Sequence, residues 1–128
     1  MKPVLEKLTL EPKDSFVVLH DILSYYPTPW HYHPEYELVL VVKSTGQRII
    51  GDNIENFFDG DLALIGPNLP HVYNNDSQYF EGREDLNAEA IVIHFTEESL
   101  GKGFFELPEM MLIKQLFRKS QCGLKIEG

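Results

Sequence analysis

The sequence is poor in cysteine and in long apolar runs. The single cysteine, Cys122, has no partner for a disulfide within the chain and cannot complete a zinc site made of several cysteines. The longest aliphatic run, residues 38–42, is far shorter than the roughly twenty residues that span a bilayer. The first residues contain no apolar stretch of signal-peptide length. We therefore expect a soluble, cytoplasmic protein without a membrane partner.

Positive charge is also scarce. The chain carries 11 basic and 20 acidic side chains, for a formal net charge of −9. Residues 51–112 hold two basic and thirteen acidic side chains, whereas residues 113–128 hold four basic and one acidic. Because nucleic acids and anionic membranes attract proteins mainly through Lys and Arg, this chain by itself is predicted to bind neither.

What the sequence does contain is a series of short β-rich segments. Its 128 residues, of which 43% are hydrophobic, suffice for one domain with a core and exclude a disordered chain. Turn-forming residues interrupt the segments about every eight to twelve residues, and no crossover helix fits between them. This pattern predicts an antiparallel sandwich or barrel. The predicted strands are residues 16–20, 36–42, 47–50, 54–58, 62–65, 71–73 and 90–95.

The pattern changes near the end of the chain. Apolar residues recur at helical spacing between 106 and 120, with acidic residues early and basic residues late, as the helix dipole favours. We therefore expect a β-domain over residues 1–103 and a C-terminal α-helix within residues 104–128. The apolar stripe of this helix would pack either on the β-domain or on the second subunit of a homodimer.

Two segments contain residue types that bind metal ions. His31, His33 and Glu37 share the parity of one extended strand, so their side chains are predicted to point to one face. A turn-rich segment then leads to His71 at the start of another strand. If His71 faces the first group, three nitrogens and one carboxylate oxygen converge. Such ligands suit zinc, iron, nickel, copper or manganese, with coordination positions left open for water or substrate.

Glu37 is the most informative member of this group. A carboxylate on the inward face of a strand costs several kcal/mol unless it is paired or bound to a cation. Glu37 therefore needs a metal ion, a protonated histidine or a ligand hydroxyl. His20 and His94 have no matching partner in the sequence pattern, and both are expected to be structural.

The two segments resemble the two motifs of the cupin superfamily. Six positions match in residue type and spacing: His31, His33, Glu37, Gly60, His71 and Asn75. Ser44 stands where a glycine usually follows the first motif, and Gly66 and Asn68 stand where the second usually has Pro and Gly. The resemblance implies a mainly β fold, an antiparallel double-stranded β-helix of the jelly-roll type. It also implies one divalent transition metal at His31, His33, Glu37 and His71.

A narrower resemblance covers most of the chain. Residues 30–38, 51–55 and 60–71 are similar to the N-terminal sensor domain of AraC-family transcriptional regulators. Residues 107–109 and 121–128 are similar to the segment that follows that domain. In this family a helix-turn-helix half binds DNA. The resemblance therefore implies that DNA is reached only through a domain absent from this chain.

The resemblance to a sensor implies that a small effector, such as a sugar, binds near the histidines without being converted. The candidate ligand-binding residues are Trp30, His31, Tyr32, His33, Glu37, Arg48, His71 and Tyr73. The three aromatic residues would either stack on a ligand ring or pack in the core. Arg48 would either clamp a carboxylate or hydroxyl group or remain solvated.

Two other functions stay open from the sequence. The first is a small metal-dependent cupin enzyme, an isomerase or an oxygenase, in which Tyr32, Glu35 or Tyr73 would act as acid or base. The second is a scaffold whose role is oligomerisation alone.

Overall fold

Ten short strands account for most of the chain that the computed structural model describes, namely residues 2–6, 16–96 and 124–126. They are β1 (Val4–Leu5), β2 (Val17–Leu23), β3 (His31–Tyr32), β4 (Tyr36–Lys43), β5 (Gly46–Ile50), β6 (Asn53–Phe57), β7 (Leu62–Ile65), β8 (His71–Asn75), β9 (Ala88–Phe95) and β10 (Leu124–Ile126). A short 3-10 helix, Ser77–Phe80, follows β8. Each of the seven predicted strands coincides with one of these, so the expectation of a mainly β fold is confirmed.

The strands form two five-stranded sheets. The first has the order β1-β3-β8-β5-β6 and the second the order β10-β7-β4-β9-β2. All neighbouring strands run antiparallel except β1 and β3, which are parallel. The core lies between the sheets, because its buried side chains come from both: Val39, Ile50, Ala63 and Ile65, with Leu69, Tyr73 and Val92 packed against them.

Of the two predicted arrangements, a sandwich or a barrel, this topology does not show a closed barrel. In the described ranges the hydrogen-bonded ladder does not pass from one sheet to the other, since β1 and β6 end the first sheet and β2 and β10 end the second. The two sheets face each other across the core as open layers. The predicted C-terminal helix, the boundary at residues 103–104 and Cys122 lie outside the described residues; β10 is the part of residues 104–128 that the structure describes.

Two backbone positions, Gly46 and Asn68, lie at or near the places where the sequence departs from the cupin motifs, and both meet special backbone requirements. Asn68 adopts a left-handed backbone conformation with φ 61°, which asparagine tolerates better than most residues. Its backbone N–H donates to the carbonyl of His33 at 2.7 Å, which ties the turn before β8 to the chain after β3. At Gly46, a Cβ would overlap the carbonyl oxygen of Asn74, so glycine lets β5 and β8 approach.

Candidate metal centre

Three histidines and one glutamate from both sheets meet in the interior. His31 lies on β3, His71 begins β8, and Glu37 lies on β4. His33 follows β3 directly. All four are buried, and each offers a ligand atom within 4.8 Å of those of the others.

The predicted convergence is observed, but its structural basis differs from the prediction. Residues 31–37 do not form one extended strand, because the chain bends at residues 34–35. His31 therefore belongs to the first sheet and Glu37 to the second. His71 faces His31 because β3 and β8 pair with these two residues in register. The cluster thus contains residues of both sheets and does not lie on one face of a single strand.

Backbone carbonyls fix the orientation of three imidazole rings. Each Nδ1 donates to a carbonyl two residues away: His31 to Pro29 at 2.6 Å, His33 to Glu35 at 3.0 Å and His71 to Leu69 at 2.8 Å. A carbonyl oxygen only accepts, so Nδ1 carries a proton in all three rings. Nε2 is then the atom that each ring presents to the cluster. This arrangement of an oriented ring with a free second nitrogen is common among histidines that bind metal.

Glu37 is the acceptor at the centre of the cluster. Its Oε1 lies 3.0 Å from Nε2 of His33 and 2.7 Å from Nε2 of His94. Its Oε2 lies 3.4 Å from Nε2 of His71. Burial alone would raise the pKa of Glu37, but these three imidazoles hold that pKa well below its usual range. The carboxylate is therefore ionised at neutral pH.

The contact with Glu37 favours the protonated form of His33. Its Nδ1 already donates to a carbonyl, so its contact with Glu37 requires a second proton on Nε2. Burial acts to lower the pKa of His33, yet the hydrogen bond and charge of Glu37 outweigh it and raise that pKa. The pKa of His31 moves the other way, lowered by burial and by the nearby His71. A neutral imidazole is the form that binds metal.

The cluster fits a divalent transition metal ion. Nε2 of His71 is buried and makes no hydrogen bond within the described part of the chain. This Nε2 faces Oε2 of Glu37 at 3.4 Å without forming a hydrogen bond, a costly arrangement for a buried nitrogen, and its lone pair is available to a cation when the ring is neutral. A metal ion would accept this lone pair together with those of His31 and His33 and the Glu37 carboxylate. Three imidazoles and one carboxylate suit zinc, iron, nickel, copper or manganese.

A cavity of about 130 Å³ lies beside the cluster. It is lined by His31, Glu37 and His71 of the cluster, and by Tyr73. Its volume is comparable to cavities that hold a single six-membered ring. An ion bound by the cluster would therefore adjoin a space in which a small molecule can lie.

The remaining predicted ligand residues are placed differently. His33 contacts Glu37 but is not among the cavity-lining residues. Arg48 is 2% exposed and bound to Asp61 and Glu55, so the expectation that it is either solvated or a ligand clamp has no support in this arrangement. Trp30 and Tyr32 are half-buried and do not line the described part of the cavity.

His94 is a site residue that the sequence argument missed. The expectation that His94 has no partner is wrong, because β4 and β9 pair with Glu37 directly opposite His94. The sequence signal was one residue, Glu37 or His94, among the apolar residues of the predicted strands 36–42 and 90–95, but only the register shows that the two residues meet. His20 also has a partner, the half-buried Glu89 at 2.7 Å, and does not line the cavity.

Glu6 was missed as well, since it lies in a segment with no motif. Its backbone N–H donates to the carbonyl of Tyr32 at 2.8 Å, which holds it beside β3. Its Oε2 lies 3.8 Å from Nε2 of His31, and its side chain lines the cavity.

Within the described residues, no helix is both long and apolar enough to cross a membrane.

Comparison with known proteins identifies the fold. No protein-family profile matches the sequence, and no curated protein matches it. Among solved structures, the chain is similar to a Cupin 2 conserved barrel domain protein from Salinispora arenicola, with 15% identity, 74% of this chain and 76% of that chain covered, and a TM-score of 0.51. It is also similar to a protein from Ralstonia eutropha described as a proposed mannose-6-phosphate isomerase, with 17% identity, 69% and 80% coverage, and a TM-score of 0.53. The chain therefore has a cupin fold.

Proposed function

We propose that this chain is the effector-binding domain of a transcriptional regulator and that it binds its effector beside a divalent transition metal ion. The ion is held by His31, His33, Glu37 and His71. The observation that carries the proposal is the buried Nε2 of His71, which makes no hydrogen bond within the described residues and meets two other imidazoles and an ionised carboxylate next to a cavity. The ion would supply a Lewis-acidic contact for hydroxyl or carbonyl oxygens of the effector.

The groups around the cavity favour binding over catalysis. A general acid or base works best with a pKa near the working pH. Burial raises the pKa of Tyr26 to about 12 and also raises that of Tyr73, so neither cavity tyrosine exchanges protons readily at neutral pH. The other two sequence candidates, Tyr32 and Glu35, do not line the described part of the cavity. The similarity of residues 30–38 and 60–71 to regulator sensor domains supports the same function.

The strand order offers a route from the cavity to the C-terminal end. Glu37 lies on β4, β4 pairs with β7, and β7 pairs with β10. A ligand-dependent shift of β4 against β7 would therefore reach the segment that contains β10 and the predicted helix. For such a signal, the effector must bind one arrangement of that segment better than another. The same segment is our proposed homodimer contact.

The second candidate is a metal-dependent cupin enzyme, an isomerase or an oxygenase. The buried hydroxyl of Tyr73, which lines the cavity and has no hydrogen-bond partner in the described residues, favours it. This hydroxyl could donate to a substrate oxygen beside the ion. The two candidates differ in whether the bound molecule is recovered unchanged.

A thermal-shift screen of sugars, amino acids and short organic acids tests the proposal. The chain is screened both loaded with metal and treated with chelator, and His71→Ala is compared with His20→Ala, a matched change at an exposed histidine. We expect a compound that raises the melting temperature of the loaded chain and of the His20→Ala control. We expect no shift for the chelated chain or for His71→Ala.

Mass spectrometry of the recovered compound separates the two functions. Unchanged compound supports a sensor, whereas converted compound shows an enzyme. Equal shifts with and without metal contradict the role of the ion. The dimer proposal is tested by deleting residues 104–128, and an unchanged oligomeric state in ultracentrifugation contradicts it.

A further inference from the structure

The charge around the cavity is one-sided. Among the described residues that line it, Glu6, Asp21 and Glu37 are acidic, and none is lysine or arginine. The buried cation Arg48 does not compensate, because it is bound to Asp61 and Glu55 and lies outside the lining. A ligand in this cavity therefore meets carboxylates and the imidazoles of His31, His71 and His94, but no lysine or arginine among the described lining residues.

The three carboxylates differ in how closely histidines surround them. Asp21 lies on β2 at the same parity as Leu19 and Leu23, and all three line the cavity. Within the described chain, the Asp21 side chain forms no ion pair or hydrogen bond. The Glu6 carboxylate lies 3.8 Å from Nε2 of His31 and within 4.8 Å of ligand nitrogens of His33 and His94. Glu37, in contrast, is bound within the cluster.

The cavity also contains an independent sign of a polar ligand. The Tyr73 hydroxyl is buried and has no hydrogen-bond partner among the described residues, although buried tyrosine hydroxyls usually find one. The Tyr26 ring lies at 87° to the Tyr73 ring, with 6.3 Å between their centroids, and both line the cavity. Tyrosine rings attract cations, and a hydroxyl can bond to a polar group of the ligand.

We infer that this cavity selects small hydroxylated amines, such as amino sugars, over phosphorylated or carboxylated molecules of similar size. The inference rests on the proposed function for its position beside the metal ion. Three carboxylates against the two charges of a divalent ion leave the site negative, so a protonated amine completes the balance. A phosphate or carboxylate group on the ligand would add to the excess negative charge.

Three sugars that share one ring test this selectivity: D-glucosamine, D-glucose and D-glucose 6-phosphate. Their dissociation constants are measured by calorimetry on the full chain, loaded with metal and chelated, at a pH where the amine is protonated. We expect glucosamine to bind about three- to tenfold more tightly than glucose and the phosphate to bind most weakly. Glu6→Gln and Asp21→Asn should each reduce the preference for the amine, measured as the ratio of the dissociation constants of glucose and glucosamine.

Matched controls are the same chemical changes away from the cavity, Glu84→Gln and Asp52→Asn, both at exposed positions. They should keep the preference. Equal binding of glucosamine and glucose, tighter binding of the phosphate, or no binding of glucosamine overturns the inference. If the chain holds metal but shows no preference, the inference fails and the metal site stands. If the chain holds no metal but prefers the amine, the metal part of the proposed function fails alone.

Discussion

Arg48 shows how single residues hold charge inside this protein. It is the largest fully buried side chain in the described part of the chain, yet it is an ion rather than a hydrocarbon. Its Nε donates to Asp61 at 3.0 Å, and one terminal nitrogen donates to Glu55 at 3.1 Å. The Asp61 side chain is 4% exposed and the Glu55 side chain 39% exposed. The same cation thus has one buried partner and one solvated partner.

This difference predicts unequal costs for two similar substitutions. Asp61→Asn leaves the buried guanidinium without its buried counter-charge, and we expect the free energy of unfolding to fall by about 3 kcal/mol. Glu55→Gln removes a charge that water already screens, and we expect a loss of less than about 1 kcal/mol. Urea denaturation of both variants measures the difference. Equal losses would show that the two carboxylates hold Arg48 equally.

The Tyr26 hydroxyl connects three parts of the chain. It donates to the carbonyl of Glu89 on β9 at 2.9 Å and accepts from the Ser44 hydroxyl at 3.1 Å. We expect Tyr26→Phe to lower the free energy of unfolding by about 1–2 kcal/mol, because two partly buried groups lose their partner. Ser44→Ala, which removes one of these bonds, should cost less in the same denaturation experiment. A larger loss for Ser44→Ala would contradict this assignment.

Tyr26 also predicts a stability change in alkali. Burial raises its pKa from 10.0 in the unfolded chain to about 12 in the folded chain. The group binds its proton more tightly when folded, so its contribution to stability is complete below pH 10 and is lost as the pH rises towards 12. The unfolding free energy of the native chain should therefore fall more steeply over this interval than that of Tyr26→Phe. Parallel curves for the two proteins would contradict the shift.

At the scale of elements, the turn before β8 positions His71. Asn68 has φ 61°, and its N–H bonds to the carbonyl of His33. Asn68→Gly should change the free energy of unfolding little, because glycine adopts this conformation readily. Asn68→Ala should lower it by about 1 kcal/mol, because a Cβ disfavours positive φ. Thermal denaturation compares the two, and equal stability of the variants would exclude backbone strain at this position.

The sequence predicts the positions of the strands better than it predicts which strands pair and in which register. Short apolar runs between turn residues located β4, β7 and β9, because alternation and turns are local properties. The bend at residues 34–35 was not predictable in this way, and it moves Glu37 into a different sheet from His31. The pairing of Glu37 with His94 depends on the β4–β9 register, which packing across the whole sheet determines.

At the scale of the whole molecule, the candidate site is built from residues of both open sheets. His31 and His71 come from the first sheet, whereas Glu37 and His94 come from the second. An ion at the cluster would cross-link the sheets, since it would bind residues of both. The net charge of −9 is consistent with a bound cation. The carboxylates around the cavity contribute to this negative charge, which attracts cations rather than nucleic acid.

The metal content of the purified chain tests the central claim most directly. The protein is purified without chelator, reconstituted with a divalent transition metal and analysed by elemental mass spectrometry. We predict about one ion per chain in the native protein and in the His20→Ala control, and almost none in His71→Ala or Glu37→Gln. A native chain that binds no ion after reconstitution, or a His71→Ala variant that retains it, would contradict the account.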